Sequence, residues 1–174
     1  GGTPSLVSGG GTLRSNGYSF GSGQGLSLSS WDSSTLGEDY SIEIYAQFDV
    51  FGNGSYGKVV DFKNRGSDNG FYIRNINGGH RPVLYNLNHS NPGSGSLNQG
   101  EFHHLVIARD EPGQDDLSVW LDGALQWTLD DGSSEIAVAD AADNILHFFV
   151  DDGGSENPAG YVDFIRIYDD AVNQ

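Results

Sequence analysis

Residues 40–51 of this chain alternate between two kinds of side chain. Ile42, Ile44, Ala46, Phe48 and Val50 fall on one side; Ser41, Glu43, Tyr45, Gln47 and Asp49 fall on the other. A period of two is that of a strand with one covered face. The first set is expected in a core, the second in solvent or a groove. No stretch sustains helical periodicity. Shorter strands are expected at 17–20, 24–30, 58–62, 71–76, 81–87, 102–109, 117–121, 124–129, 145–150 and 160–168, about eleven in all at the spacing of a sandwich. Asn77-Gly78-Gly79 and Asp122-Gly123 are preferred hairpin turns. Residues 1–17 are rich in Gly and Ser and are expected to lie along the surface, with a short edge strand at 17–20. A single helical turn is the most that 137–142 allows. The reading is one all-β domain, an antiparallel two-sheet jelly-roll sandwich, over residues 1–174.

Charge narrows the partners. Acidic residues number 24 and basic residues 8, a net charge of −16. That field disfavours nucleic acid and anionic membranes, which need basic patches. Divalent cations and neutral ligands fit it better. The chain has no Cys, so neither disulfides nor thiolate metal sites arise. No apolar run reaches the length of a membrane span. The Gly-Gly start and the absence of Met suggest a processed, trimmed or tag-cleaved end, and suit a domain cut from a longer chain.

Residues 160–168 alternate again. Tyr161, Asp163, Ile165 and Ile167 are expected on one face, with Val162, Phe164, Arg166 and Tyr168 on the other. An unpaired carboxylate on the apolar face costs several kcal/mol, on the order of a buried unsatisfied polar group, so Asp163 needs donors or a cation.

Three segments carry a family resemblance. They are Val60-Asp61-Phe62-Lys63-Asn64-Arg65 with Asp68-Asn69-Gly70-Phe71-Tyr72-Ile73; residues 101–110 with Val119-Trp120-Leu121-Asp122-Gly123; and Phe148-Phe149-Val150-Asp151-Asp152 with residues 160–168. In this order and spacing the chain resembles the laminin G-like, concanavalin A-like lectin and glucanase domains. Phe102 stands where that family usually has Trp. The resemblance implies two antiparallel sheets, and by itself no function, because the fold hosts lectins, adhesive modules and glycosidases.

Calcium is the expected cofactor, since it takes six to eight oxygen ligands. The resemblance implies one site at Asp163, completed by backbone carbonyls near the chain start and around Gly37. The loop carrying Asp151, Asp152 and Glu156 suggests a second. Adjacent His103 and His104 point to opposite sides of a strand, so a zinc site is not expected, and a hydrogen-bonded core role suits His104 and His147. Sugar binding needs aromatic platforms beside planar polar groups. Tyr45, Gln47, Tyr72, Arg74, Tyr85, Asn86 and Arg166 are the candidates, with Trp31, Tyr56, His80 and His89 in loops.

Catalysis finds little support. Retaining glycosidases set two carboxylates about 5 Å apart, whereas Glu43 and Asp49 are separated by roughly 20 Å of strand. No Gly-x-Ser-x-Gly elbow, phosphate loop or dinucleotide fingerprint occurs. The expectation is an extracellular or cell-surface carbohydrate-binding module that holds calcium. A glycoside hydrolase or polysaccharide lyase of the same fold, and an adhesive domain of a larger surface protein, are the alternatives.

Overall fold

The structure, a computed structural model, describes residues 3–7, 12–14, 17–29, 39–52, 56–85, 92–110, 117–131, 136–139 and 145–172. Thirteen strands follow in order: β1 (Thr3–Val7), β2 (Thr12–Arg14), β3 (Gly17–Phe20), β4 (Gly25–Ser29), β5 (Tyr40–Val50), β6 (Tyr56–Asp61), β7 (Phe71–Ile76), β8 (Gly79–Leu84), β9 (Phe102–Arg109), β10 (Leu117–Leu121), β11 (Ala124–Leu129), β12 (Ile145–Phe148) and β13 (Ala159–Tyr168). They form a six-stranded sheet, β1-β4-β12-β6-β7-β8, and a seven-stranded sheet, β11-β10-β9-β5-β13-β3-β2. The strand pairs are antiparallel. The two sheets make the jelly-roll sandwich that the alternation predicts.

The core lies between the sheets. Ile42, Ile44, Ala46 and Phe48 of β5 are fully buried there, as are Phe71 and Ile73 from β7 of the opposite sheet. Burying a side chain of this size contributes about 1.5–3 kcal/mol. Phe20 and Phe149 stack at 4.2 Å. The two hairpin dipeptides form as expected: Asn77 and Gly78 adopt φ 54° and 84°, Asp122 and Gly123 φ 52° and 78°. Both central residues lie in the left-handed region, as a type I′ turn requires.

Four expectations need correcting. The first concerns β13, which carries a bulge: Val162 pairs with Ala46 but Phe164 pairs with Tyr45, leaving Asp163 as the extra residue. A bulge resets the side-chain phase. Val162 therefore joins Ile165 and Ile167 against the core, and Tyr161 moves to the outer face. Asp163 is exposed rather than set on an apolar face. Second, the Gly/Ser-rich start pairs as strands. β1 borders β4, and β2 borders β3, which makes β3 an interior strand. Backbone pairing needs no apolar alternation, so the sequence gives no sign of it. Third, the strand expected at 81–87 ends at Leu84, followed by a turn at Tyr85. Fourth, of the helical turn expected at 137–142 only 137–139 are described, and 136–139 form a turn tied to Asp131, whose carboxylate accepts the Ile136 and Ala137 amides at 2.9 Å each.

Candidate functional site

Two surfaces collect the functional side chains, one on the outside of each sheet. The first is the outer face of the seven-stranded sheet, here the front face. Its residues come from strands whose other side is core, so period two delivers them outward. Register sets Tyr45 of β5 between His104 of β9 and Phe164 of β13, and Gln47 between Phe102 and Tyr161. Tyr45 stacks on Phe102 at 5.0 Å and on Phe164 at 5.7 Å. Tyr161 meets Phe102 edge-on at 5.9 Å, and Arg166 lies over the Phe164 ring at 4.1 Å. Phe102 is 38% exposed, far more than the core rings.

Beside this row stands Glu43. Its carboxylate accepts Tyr168 Oη at 2.8 Å and Arg166 Nη1 at 3.3 Å, and pairs with His104 Nε2 at 2.9 Å. Burial pushes the Glu43 carboxyl up, but the bonds from Tyr168, His104 and Arg166 outweigh it and hold the group below its ordinary value. Glu43 is therefore a fixed anion at neutral pH. A cavity of about 190 Å³ opens next to it, lined by Glu43, Val106, Tyr168 and Val172. His104 is thus not a core histidine. The inward place at this end of β9 is held by His103, whose Nδ1 donates to Asp122 Oδ2 at 2.8 Å while Nε2 accepts the Asn98 amide at 2.8 Å.

The second surface lies outside the six-stranded sheet, at its rim. Asp68, Asp151 and Glu156 bring one carboxylate oxygen each within 4.8 Å of one another. Two loops deliver them. The β6–β7 loop wraps the Asp61 carboxylate, whose Oδ1 accepts the Lys63 and Arg65 amides at 3.0 and 2.8 Å, with Asn64 and Arg65 in the left-handed region. The β12–β13 loop leaves the sheet at Phe149, also at positive φ. Asn157 ties that loop back, accepting the Asp151 amide at 2.6 Å and donating to Gly154 O at 2.8 Å.

Beneath the three acids is a buried ion group. Lys58 Nζ lies 2.9 Å from Asp61 Oδ2 and 3.6 Å from Asp151 Oδ1, all three side chains being almost fully inaccessible. Tyr72 donates its hydroxyl to Asp151 Oδ1 at 3.0 Å. Burial, then the Asp151 charge, pushes the Tyr72 phenol far up, so it stays a donor. Burial, then the charges of Asp151 and Asp68, also raises Glu156, despite the opposing pull of Lys58. The cluster's donors are all oxygen, which suits a hard cation.

The sequence candidates divide between these surfaces. Tyr45, Gln47 and Arg166 gather on the front face, together with Glu43, Phe102, His104, Phe164 and Tyr168, which residue-by-residue reading did not single out as a site. Arg74 and Tyr85 belong to the other sheet, near Tyr56, whose ring lies 5.0 Å from the Arg74 guanidinium and 5.6 Å from Tyr85. Tyr72 is fully buried, which corrects its assignment as a sugar platform. Among the acids, Asp151 and Glu156 converge, but with Asp68 in place of Asp152. Asp152 is exposed and accepts the Gly153 amide at 2.8 Å. Asp163 stands apart, at the edge of a cleft of about 350 Å³ between the sheets that Tyr18, Leu28 and Ile165 also line. Gly37 and Asn86 lie outside the described residues.

The architecture defines a two-sheet jelly-roll sandwich. The chain belongs to the concanavalin A-like lectin/glucanases superfamily, whose laminin G-type family model matches residues 20–174. Similar solved structures include domain 4 of AbnA, a GH43 extracellular arabinanase from Geobacillus stearothermophilus, in complex with arabinotriose. The likeness has a TM-score of 0.64 at 15% identity and covers 99% of this chain and 78% of that one. The botulinum neurotoxin serotype D binding domain gives 0.63 at 13% identity, over 99% of this chain and 44% of that one. Trypanosoma rangeli sialidase with 2,3-difluorosialic acid gives 0.67 at 17%, over 94% and 27%. The chain thus spans less than half of the toxin domain and about a quarter of the sialidase. At these identities the likeness establishes the fold. No curated protein sequence matches.

Proposed function

We propose that this chain is a secreted, non-catalytic carbohydrate-binding module whose ligand lies on the front face. The observation that carries the reading is the row Phe102, Tyr45 and Phe164 beside the clamped Glu43 carboxylate. Saccharides present apolar C–H faces and a rim of hydroxyls. An aromatic row with fixed donors and acceptors alongside answers both. Glu43, His104, Arg166 and Gln47 are placed to exchange hydrogen bonds with ring hydroxyls. The similarity to an arabinanase domain crystallised with arabinotriose and to a toxin binding domain supports the same reading.

We assign calcium to the rim cluster. Asp68, Asp151 and Glu156 fit a hard cation by donor type, and Asp152 on the same loop brings further charge. Lys58, at 3.6 Å from Asp151, already supplies part of the balancing charge, so the ion's role is to lock the β6–β7 and β12–β13 loops together. Its site lies on the sheet opposite the aromatic row, so sugar binding does not pass through the ion.

Titration calorimetry against a glycan panel tests both parts, with the wild type, Tyr45→Ala and Arg166→Ala, in calcium and in chelator. Binding that survives chelator and is lost in Tyr45→Ala supports the reading. Glycan binding abolished by chelator and indifferent to Tyr45→Ala would move the site to the rim. Release of a new reducing end would make the chain a hydrolase.

A further inference from the structure

We propose that the front face continues past Glu43 to a second contact formed by Trp120 and Leu125, and that it takes an uncharged saccharide chain longer than a disaccharide. The proposal rests on the reading of the front face as a carbohydrate site.

Register carries the first half. In β10 Leu117, Val119 and Leu121 are buried, so Ser118 and Trp120 point outward. Trp120 pairs with Leu125 on β11 and with Val106 on β9, and Val106 pairs with Glu43 on β5, which pairs with Arg166. Leu125, Trp120, Val106, Glu43 and Arg166 therefore form one row across five neighbouring strands. Two strand spacings separate Trp120 from Glu43, about 10 Å at the backbone. The β10–β11 register slips at Trp120, which turns this end of the hairpin. Leu125, 54% exposed, is the most exposed large apolar residue described.

The face thus has apolar contacts on both sides of a depression in which Glu43 and Tyr168 are the polar groups and Val106 and Val172 the apolar ones. Tyr45, Phe102 and Phe164 stand on one side and Trp120 with Leu125 on the other, with the cavity at Glu43 between them. A single ring covers one side only. A chain bridges both, with a central hydroxyl facing Glu43.

Charge carries the second half. Glu43 is the anion of the row, beside Arg166, which it engages at 3.3 Å. An acidic sugar would meet that carboxylate inside the field of a molecule of net charge −16. An uncharged chain meets no such penalty.

The test uses the full chain on a printed panel of neutral and acidic oligosaccharides of graded length, followed by calorimetry on the best binders. Trp120→Ala and Leu125→Ser are compared with Tyr45→Ala; Leu125 is exposed, so its replacement leaves folding intact. The expected result is that neutral chains bind and acidic ones do not. Trp120→Ala then loses about tenfold for the longer chains and nothing for the disaccharide, Leu125→Ser loses less, and Tyr45→Ala loses both. Preference for acidic chains, or equal loss for short and long chains, or no loss in either hairpin variant, overturns this inference while leaving the carbohydrate reading in place. Absence of binding to every oligosaccharide overturns both.

Discussion

Tyr168 donates its phenolic hydroxyl to Glu43 at 2.8 Å, joining β13 to β5 across 125 residues of sequence. The bond fixes an acid beside the aromatic row of Phe102, Tyr45 and Phe164. Glu43 has its pKa depressed in the folded state, so the stability it lends is present above its ordinary value of 4.5 and is lost as pH falls through the folded value. Tyr168→Phe removes one of its donors and moves that loss to higher pH. That loss is also smaller, so melting temperatures are expected to lie below wild type for the variant at pH 7 and to converge with it as pH falls towards 3, where the carboxylate is protonated in both.

Lys58 is the cation beneath the acidic rim. Replacing it by Met leaves Asp61 and Asp151 facing each other without a buried counterion. Breaking a buried pair in this way costs about 3–5 kcal/mol, a drop of roughly 6–20 °C in melting temperature for a domain of this size. Lys58→Met combined with Asp61→Asn removes both charges of the closer pair, keeps an oxygen for the Lys63 and Arg65 amides, and is expected to recover part of the loss. Calorimetric melts of the three proteins measure it.

Glu156 has its carboxyl raised by burial and by the charges of Asp151 and Asp68. The folded state therefore holds the proton more tightly than the unfolded chain, and ionisation costs stability as pH rises above 4.5. In chelator at pH 7, Glu156→Gln is expected to melt higher than wild type. Added calcium is expected to raise the wild-type melting temperature by ligand linkage and to leave the Glu156→Gln variant nearly unmoved.

His147 sits buried on β12 with Nε2 bonded to Asn64 Oδ1 at 3.0 Å. Burial lowers its pKa, and nearby Arg65 and Lys58 add to this while Asp61 opposes it. The unfolded chain therefore binds the proton more readily, and stability falls as pH drops below the ordinary 6.5. Urea midpoints at pH 7.5 and 5.5 are expected to differ more in wild type than in His147→Gln.

The sandwich was legible because alternation and turn chemistry are local. The faces of β5 from Ile42 to Phe48 and both type I′ hairpins follow from residues a few positions apart, whereas Val50, expected in the core, is 46% exposed and Ser41, expected outward, is buried. Four features were not local. The bulge at Asp163 exists because β13 must match β5 residue by residue, and nothing within 160–168 announces the slip. Asp68 lies more than eighty residues from Asp151 and Glu156, on a loop whose course is set by Asp61. The Asp151–Asp152–Glu156 reading could therefore find the right loop but not its partner. Tyr72 looked like a platform because it points away from the core, yet Asp151, Lys58 and the rings of Tyr56 and Tyr85 enclose it. Glu43 was visible as an outward residue, but its donors His104, Arg166 and Tyr168 come together only through register.

Amide chemical-shift mapping on the full chain, titrated with the neutral oligosaccharide that binds best, tests the central claim most directly. The account predicts shifts concentrated at Tyr45, Phe102, His104, Phe164 and Arg166, with Asp68, Asp151 and Glu156 silent. Shifts confined to the acidic rim, with the seven-stranded sheet unmoved, would contradict it.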